Sequence, residues 1–350
     1  MTQAGTAFGS VVGAASGLFL DPTRSDWDGT DPRPIAWTAW YPAAADTPDP
    51  APATTGPHDL FLAPAVAQGA ALSPARARWP VVLLSHGTGG RSEGLAWLGA
   101  RLASAGYVCL GVSHHGNTEI EPYRAEGFLC WWERPRDLSV ALDMLLQDPL
   151  FADRLDMDRT VAAGFSLGGY TVLSLAGAVT ELARFQDWAQ TQPGAPGGPR
   201  EFPDLSDRFE DLLRTSAPFR ASLERQSRSY ADPRVRAVVA FAPAPPVRGF
   251  RPDSLAGIRL PVSIMVGRAD LEAPHEDCAL WLRQQNPAFA VELLGETVGH
   301  YVFLNEATDF GRAEAPEICL DPPGIDRRAI HDQAAAFAEA HFRRTLEAAV

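Results

Sequence analysis

RTVAAGFSLGGYTVLSLAGA, residues 159–178, is the stretch that decides the fold. A short apolar strand at 160–163 runs into Gly164-Phe165-Ser166-Leu167-Gly168, and small and apolar residues then continue as a helix. In a strand–turn–helix setting, G-x-S-x-G reads as a nucleophile elbow. A serine on a turn tight enough to lift its hydroxyl above a sheet sits in strained backbone, and side chains at the flanking glycines would strike neighbouring elements. The helix that follows aims backbone N–H groups at any oxyanion formed beside Ser166. The competing reading is a glycine-rich helix start in a chain with 30 glycines among 350 residues, where Gly168-Gly169 merely lets helix and strand approach.

Upstream, residues 80–85 (PVVLLS) form a wholly apolar run, the mark of a central parallel strand. It ends in His86-Gly87-Thr88-Gly89-Gly90. No Gly-Lys-Ser/Thr follows, so this is not a phosphate-binding loop. At the carboxyl end of a central strand it reads as the second half of an oxyanion hole, with the Thr88 N–H as donor. The alternative is a flexible strand–helix turn. A helix at 92–104 and a strand at 107–112 complete a β-α-β unit. His114-His115-Gly116-Asn117 then opens a loop running through Phe128, Cys130, Trp131 and Trp132. Adjacent loop histidines without a carboxylate at fixed spacing are weak metal ligands, so pocket-wall or structural roles are expected. The Phe128/Trp131/Trp132 cluster is either core or acyl-pocket lining. Pro135 stands in the first turn of a helix with Leu138, Leu142 and Leu145 on one face.

Nearer the N-terminus, residues 7–20 (AFGSVVGAASGLFL) resemble the apolar core of a signal segment, but MTQAGT before them carries no Lys or Arg. They are expected to hold the first strand of a cytoplasmic protein. A polar, turn-rich stretch at 21–33 precedes a strand at 35–41, and residues 43–79 read as a long surface loop. Beyond the elbow helix, residues 179–232 are polar and irregular, with amphipathic pieces ELARFQDWA and RFEDLLRTS. They read as a helical cap inserted over the site, the alternative being a surface excursion. Strands follow at 235–241, 261–266 and 288–294. A terminal helix carries Ile330, Ala334, Phe337 and Ala338 on one face.

A net charge of −13 argues against nucleic acid or an anionic membrane surface as partner. There is no uninterrupted apolar run long enough to span a membrane. Cys109, Cys130, Cys278 and Cys319 lie far apart with no C-x-x-C, so neither a zinc site nor a disulfide framework is expected. They read as buried small hydrophobes. Nothing in the sequence bears on oligomeric state.

Ser166, Asp270 and His300 occur in the chain order Ser…Asp…His, each just past an expected strand. That is the triad order of α/β hydrolases. A serine hydroxyl attacks well only when a base removes its proton, and imidazole does this when a buried carboxylate holds its tautomer. Asp270, Glu272, Glu276 and Asp277 all follow the 261–266 strand. Asp270 is favoured because it stands closest to the strand end.

HGTGG, HHGNT, ERPRDLS, GFSLGGY, GRAD and GHYVFL together resemble the dienelactone-hydrolase-like group of serine α/β hydrolases, akin to platelet-activating-factor acetylhydrolases and bacterial dialkyl phthalate ester hydrolases. The resemblance covers about residues 34–176 and 235–345. The expected architecture is a single α/β-hydrolase domain over residues 1–350, with a mostly parallel sheet, helices on both faces and the 179–232 cap inserted within it, and the resemblance implies the site residues. Ser166 would be the nucleophile, Asp270 and His300 its partners, and the Thr88 and Leu167 N–H groups the oxyanion hole. His86, Phe165, Trp131, Trp132 and Tyr301 are expected to line the substrate pocket. Dienelactone hydrolases themselves use cysteine, so serine here points to carboxylic esters. The expected activity is cofactor-free, metal-independent hydrolysis of neutral small-molecule esters through an acyl-enzyme, with aromatic diesters such as phthalates as the narrower expectation. An amidase or acyltransferase with the same triad, or a binding protein on this scaffold, are the alternatives.

Overall fold

A computed structural model describes residues 11–50, 56–192 and 197–348. Its strands are β1 (Val12–Ser25), β2 (Pro32–Pro42), β3 (Ala67–Gln68), β4 (Trp79–Ser85), β5 (Val108–Ser113), β6 (Leu155–Phe165), β7 (Val235–Phe241), β8 (Val262–Gly267) and β9 (Ala290–Leu294). They form one sheet in the order β3-β1-β2-β5-β4-β6-β7-β8-β9. β2 runs antiparallel to both β1 and β5, and from β5 to β9 every neighbouring pair is parallel.

Burial explains the apolar runs. Every residue of β4, β5 and β8 is buried, as expected of strands covered on both faces. The helix Ala96–Ser104 packs with the C-terminal helix Arg327–Ala348, while the helix Arg134–Leu145 packs with the elbow helix Leu167–Leu175. The expectation of a mostly parallel sheet with helices on both faces is met.

Some boundaries differ from the sequence reading. Within the first expected strand, residues 7–10 lie outside the described residues, and β1 instead continues to Ser25. Beyond Leu20 the pairing with β2 shifts register between Asp21 and Ser25, where the buried Asp21 carboxylate accepts from Thr23 N–H at 2.9 Å and Arg24 Nε at 2.7 Å. The C-terminal helix buries Ala334 and Ala338 as expected, but its inner face also carries His331, His341, Phe342 and Leu346. A hydropathy pattern passes over the histidines. They are tolerated inside because His331 Nε2 faces the Val302 and Leu304 carbonyls at 2.9 Å each, and His341 Nδ1 meets Ser263 Oγ at 3.0 Å.

Between the elbow helix and β7, the chain forms helices Leu182–Gln190, Phe209–Thr215 and Ala217–Leu223. Part of the Pro/Gly break in this segment, residues 193–196, lies outside the described residues. No helix among the described residues is long and apolar enough to cross a membrane.

Candidate active site

Ser166 sits between β6 and the elbow helix with φ 56° and ψ −119°. A non-glycine residue held there costs about 1–3 kcal/mol, so the surroundings must over-determine it. They do: its N–H donates to Phe241 O at 2.9 Å, and its carbonyl accepts from Gly169 N–H at 2.8 Å and Ala244 N–H at 3.1 Å. The glycines of the motif are steric requirements. A Cβ on Gly164 would overlap the Gly168 backbone, and one on Gly168 would overlap the Ser85 carbonyl.

His300 opens a short helical turn after β9, and Asp270 follows β8. The two loops are stitched together by Ala269 N–H donating to Val298 O at 3.0 Å. His300 Nδ1 lies 2.7 Å from Asp270 Oδ2, and His300 Nε2 lies 3.0 Å from Ser166 Oγ. The other carboxylate oxygen of Asp270 accepts from Ala273 N–H at 2.7 Å. An acceptor-only carboxylate at Nδ1 makes that nitrogen the donor, leaving Nε2 as acceptor for the serine proton. Ser166, His300 and Asp270 are 8%, 6% and 3% exposed. The Phe165 ring lies under the imidazole, with centroids 4.8 Å apart. The turn after His300 is fastened by Trp97 Nε1–H donating to Phe303 O at 2.8 Å and by His331. Of the other acids considered, Glu272 is exposed, Glu276 pairs with His275 at 3.0 Å, and Asp277 lies 4.0 Å from Arg248.

The HGTGG loop closes on the serine from the other side. A Cβ on Gly87 would stand 3.2 Å from the Ser166 Cβ, so the backbone running into Thr88 lies against the serine. Leu167 is the first residue of the elbow helix, where N–H groups have no partner within the helix. Gly89 has φ 67°, donates its N–H to Asn117 Oδ1 at 2.9 Å and accepts from Tyr123 O–H at 2.8 Å. The inserted segment reaches this loop: Glu201 lies against Gly89, and Phe202 against Phe128 with centroids 5.5 Å apart.

Several expected pocket residues turn out to be braces or core. His86 is buried, its Nδ1 facing Gly87 O at 2.6 Å and its Nε2 accepting from His114 N–H at 3.1 Å. Both ring nitrogens are spent on backbone, and burial with Arg134 nearby holds its pKa well below the usual histidine range. It therefore stiffens the loop and offers no polar atom to a substrate. Trp132 donates to Ser222 O and Oγ at 3.0 Å each, and Trp131 packs edge-on against Trp132, Tyr170 and Phe185. Both indoles join the elbow helix to the insertion as core. Phe165 too is core, beneath His300. Tyr301 is half-buried, edge-on to His300 at 5.3 Å, and packs against the small cluster of Ala307, Ile318 and Cys319.

His114 bridges Asp137 Oδ2 at 3.0 Å and Ser85 Oγ at 2.9 Å, and burial pushes its pKa down to about 3. His115 is held by Glu121 at 2.7 Å and by Trp27 N–H at 3.3 Å. These are structural placements. Trp97, Asn117 and His331 also support the site, and of these only Asn117, inside HHGNT, lies in a motif that the sequence marks.

Residues 61–127 match the family model of platelet-activating factor acetylhydrolase, isoform II. Across 97 residues the chain is 33% identical to "Cutinase est2" of Thermobifida alba, a match covering 27% of this chain and 29% of that protein. "Cutinase cut1" of Thermobifida fusca is also 33% identical over 97 residues, 27% of each chain. The chain thus aligns with well under half the length of these curated relatives. In three dimensions it superposes on a ferulic acid esterase from Streptomyces cinnamoneus with a TM-score of 0.62 at 18% identity, covering 96% of this chain and 90% of that one. The fold is that of the α/β hydrolases. Within it, the partial matches support the resemblance to the acetylhydrolase-like group seen in the sequence motifs.

Proposed function

We propose that this α/β hydrolase is a serine carboxylic-ester hydrolase. The observation that carries the proposal is the unbroken chain Ser166 Oγ–His300–Asp270 at 3.0 and 2.7 Å. His300 Nε2 takes the Ser166 proton as Oγ attacks the ester carbonyl. Asp270 holds the imidazole in the productive tautomer and stabilises the imidazolium. The oxyanion forms between the Thr88 and Leu167 N–H groups, and His300 then protonates the leaving alkoxide. Water attacks the acyl-enzyme in the same geometry, with His300 again as base. No step calls for a metal or cofactor, and chelators are expected to leave the rate unchanged.

Cutinase and ferulic acid esterase, the names of the relatives, lend support to ester over amide as substrate. Neutral small-molecule esters fit the acidic chain, and aromatic diesters such as phthalates are the narrower reading. We take residues 179–232 as a cap within a single domain, supported by the approach of Glu201 and Phe202 to the HGTGG side of the site. The four cysteines are free and buried, which suits the cytoplasmic location expected from the sequence.

The test is intact-mass and peptide analysis after treatment with a fluorophosphonate, alongside a panel of p-nitrophenyl esters, phthalate diesters and anilides. Stoichiometric labelling at Ser166, lost in Ser166→Ala, with esters cleaved faster than anilides, is expected. No label and no turnover on the panel would refute it.

A further inference from the structure

Arg134, in the ERPRDLS motif, opens the helix Arg134–Leu145 and is among the largest fully buried side chains. Burying a guanidinium is costly unless its donors are satisfied. Here they go to neutral groups on three separate elements. Nε donates to Thr171 Oγ1 at 3.1 Å, one terminal nitrogen to Asn117 Oδ1 at 3.2 Å, and the other to Ser85 Oγ at 3.3 Å and to the His86 carbonyl. Asp137, the carboxylate whose charge acts on Arg134, is occupied elsewhere, by Arg33 at 2.8 and 3.0 Å, Arg24 at 2.7 Å and His114 at 3.0 Å.

Of the four acceptors of Arg134, three adjoin a half of the oxyanion hole, and the fourth, Ser85 Oγ, stands at the end of β4 just before His86. The His86 carbonyl precedes Gly87-Thr88 directly. Asn117 Oδ1, shared with Arg134, also accepts the Gly89 N–H at 2.9 Å, on the far side of Thr88. Thr171 Oγ1 in turn donates to Leu167 O at 2.9 Å. A planar guanidinium with a fixed fork of donors therefore grips both flanks of Thr88 and the residue that carries the second N–H. Lysine, with donors radiating from one nitrogen, does not span three such acceptors at these separations. Burial brings the Arg134 pKa down to about 9, leaving the group cationic at neutral pH, its charge behind the loop.

We propose that Arg134 is the positioning residue of the oxyanion hole, setting the separation of the Thr88 and Leu167 N–H groups. The assignment rests on the hydrolase reading above. It concerns transition-state stabilisation, so it predicts a defect in kcat and in binding of a tetrahedral mimic, with substrate KM little changed.

The experiment compares Arg134→Lys, Thr171→Val and Asn117→Ala with wild type and with Arg136→Gln, a control on the same helix. Measured are kcat and KM on a p-nitrophenyl ester, the inhibition constant of an alkyl boronic acid, the rate of Ser166 phosphonylation, and far-UV circular dichroism. Removing one oxyanion donor outright costs about 10²–10³ in rate, so misplacing donors is expected to cost about tenfold in Thr171→Val and Asn117→Ala and about 10²-fold in Arg134→Lys. Boronate affinity and phosphonylation rate should fall in parallel, with KM within about threefold. If Arg134→Lys does not fold, the other two variants decide. Folded variants that are less stable but keep kcat and boronate affinity would show a purely structural role and overturn the assignment. Variants matching a wild type that labels at Ser166 sink this inference alone; a wild type that neither labels nor turns over sinks the hydrolase reading, and this one with it.

Discussion

Asp270→Asn isolates the acid of the proposed triad without changing side-chain volume. In the native site both carboxylate oxygens accept, one from Ala273 N–H and one from His300 Nδ1–H, each at 2.7 Å. An amide supplies only one acceptor. If its oxygen keeps Ala273, its NH₂ faces the His300 Nδ1–H, and the conflict is relieved only by moving the imidazole proton to Nε2. That nitrogen then faces Ser166 Oγ as a donor and no longer takes its proton. If the amide turns the other way, its NH₂ meets the Ala273 N–H and the acid loop must shift. The first orientation loses the productive tautomer and the second displaces the acid that holds the imidazole, and the same exchange in the serine-protease triad costs about 10⁴ in kcat. That factor corresponds to about 5.4 kcal/mol of transition-state stabilisation. The assay is steady-state ester hydrolysis near pH 7.5, with circular dichroism as the folding check. Glu272→Gln, Glu276→Gln and Asp277→Asn serve as comparisons, each expected within about tenfold of wild type. A folded Asp270→Asn protein keeping more than a tenth of wild-type kcat, or a collapse in one of the other three, would refute the assignment of the acid.

Gly168→Ala drives a methyl into the Ser85 carbonyl and is expected to destabilise by at least the upper end of the usual overpacking range of about 1–3 kcal/mol, read from urea midpoints. Burial lowers the pKa of His331 to about 4, whereas the unfolded chain takes up that proton near 6.5. The unfolded state thus binds more protons between those values, so stability is lost as pH falls through that window, by about 1.4 kcal/mol per pH unit. His331→Gln should flatten the stability profile between pH 6.5 and 4 by that slope; an unchanged slope in urea titrations would refute this. With a net charge of −13, the protein should cleave neutral diesters faster than the half-acids they yield, so that monoester accumulates at low salt. Equal rates would instead point to a local cationic pocket.

Much of this site was legible because it is written in short-range terms. G-x-S-x-G is a steric code: Gly164 and Gly168 leave room for backbone, which is why the motif and its flanking apolar strand pointed to the elbow. Wholly apolar runs at β4 and β8 marked strands covered on both faces, and such strands deliver their next residues to one edge of the sheet. The order Ser…Asp…His and the place of each residue after a strand came from the sequence by that route. Four acids followed β8, and strand proximity favoured Asp270, but only the folded chain sets a carboxylate 2.7 Å from an imidazole thirty residues away. The same holds for His86, Trp131 and Trp132, whose residue types suit a pocket as well as a core. Their bonds to Gly87, His114 and Ser222 and their packing against Tyr170 and Phe185 decide for brace and core. Arg134 is the extreme case. Hydropathy places an arginine at a helix start in solvent. It is inside because Ser85, His86, Asn117 and Thr171, drawn from separate stretches of the chain, converge to satisfy it. Sequence determines what a residue offers locally; which partners meet that offer depends on long-range packing, and hydrogen bonds form only between groups that packing brings within about 3 Å.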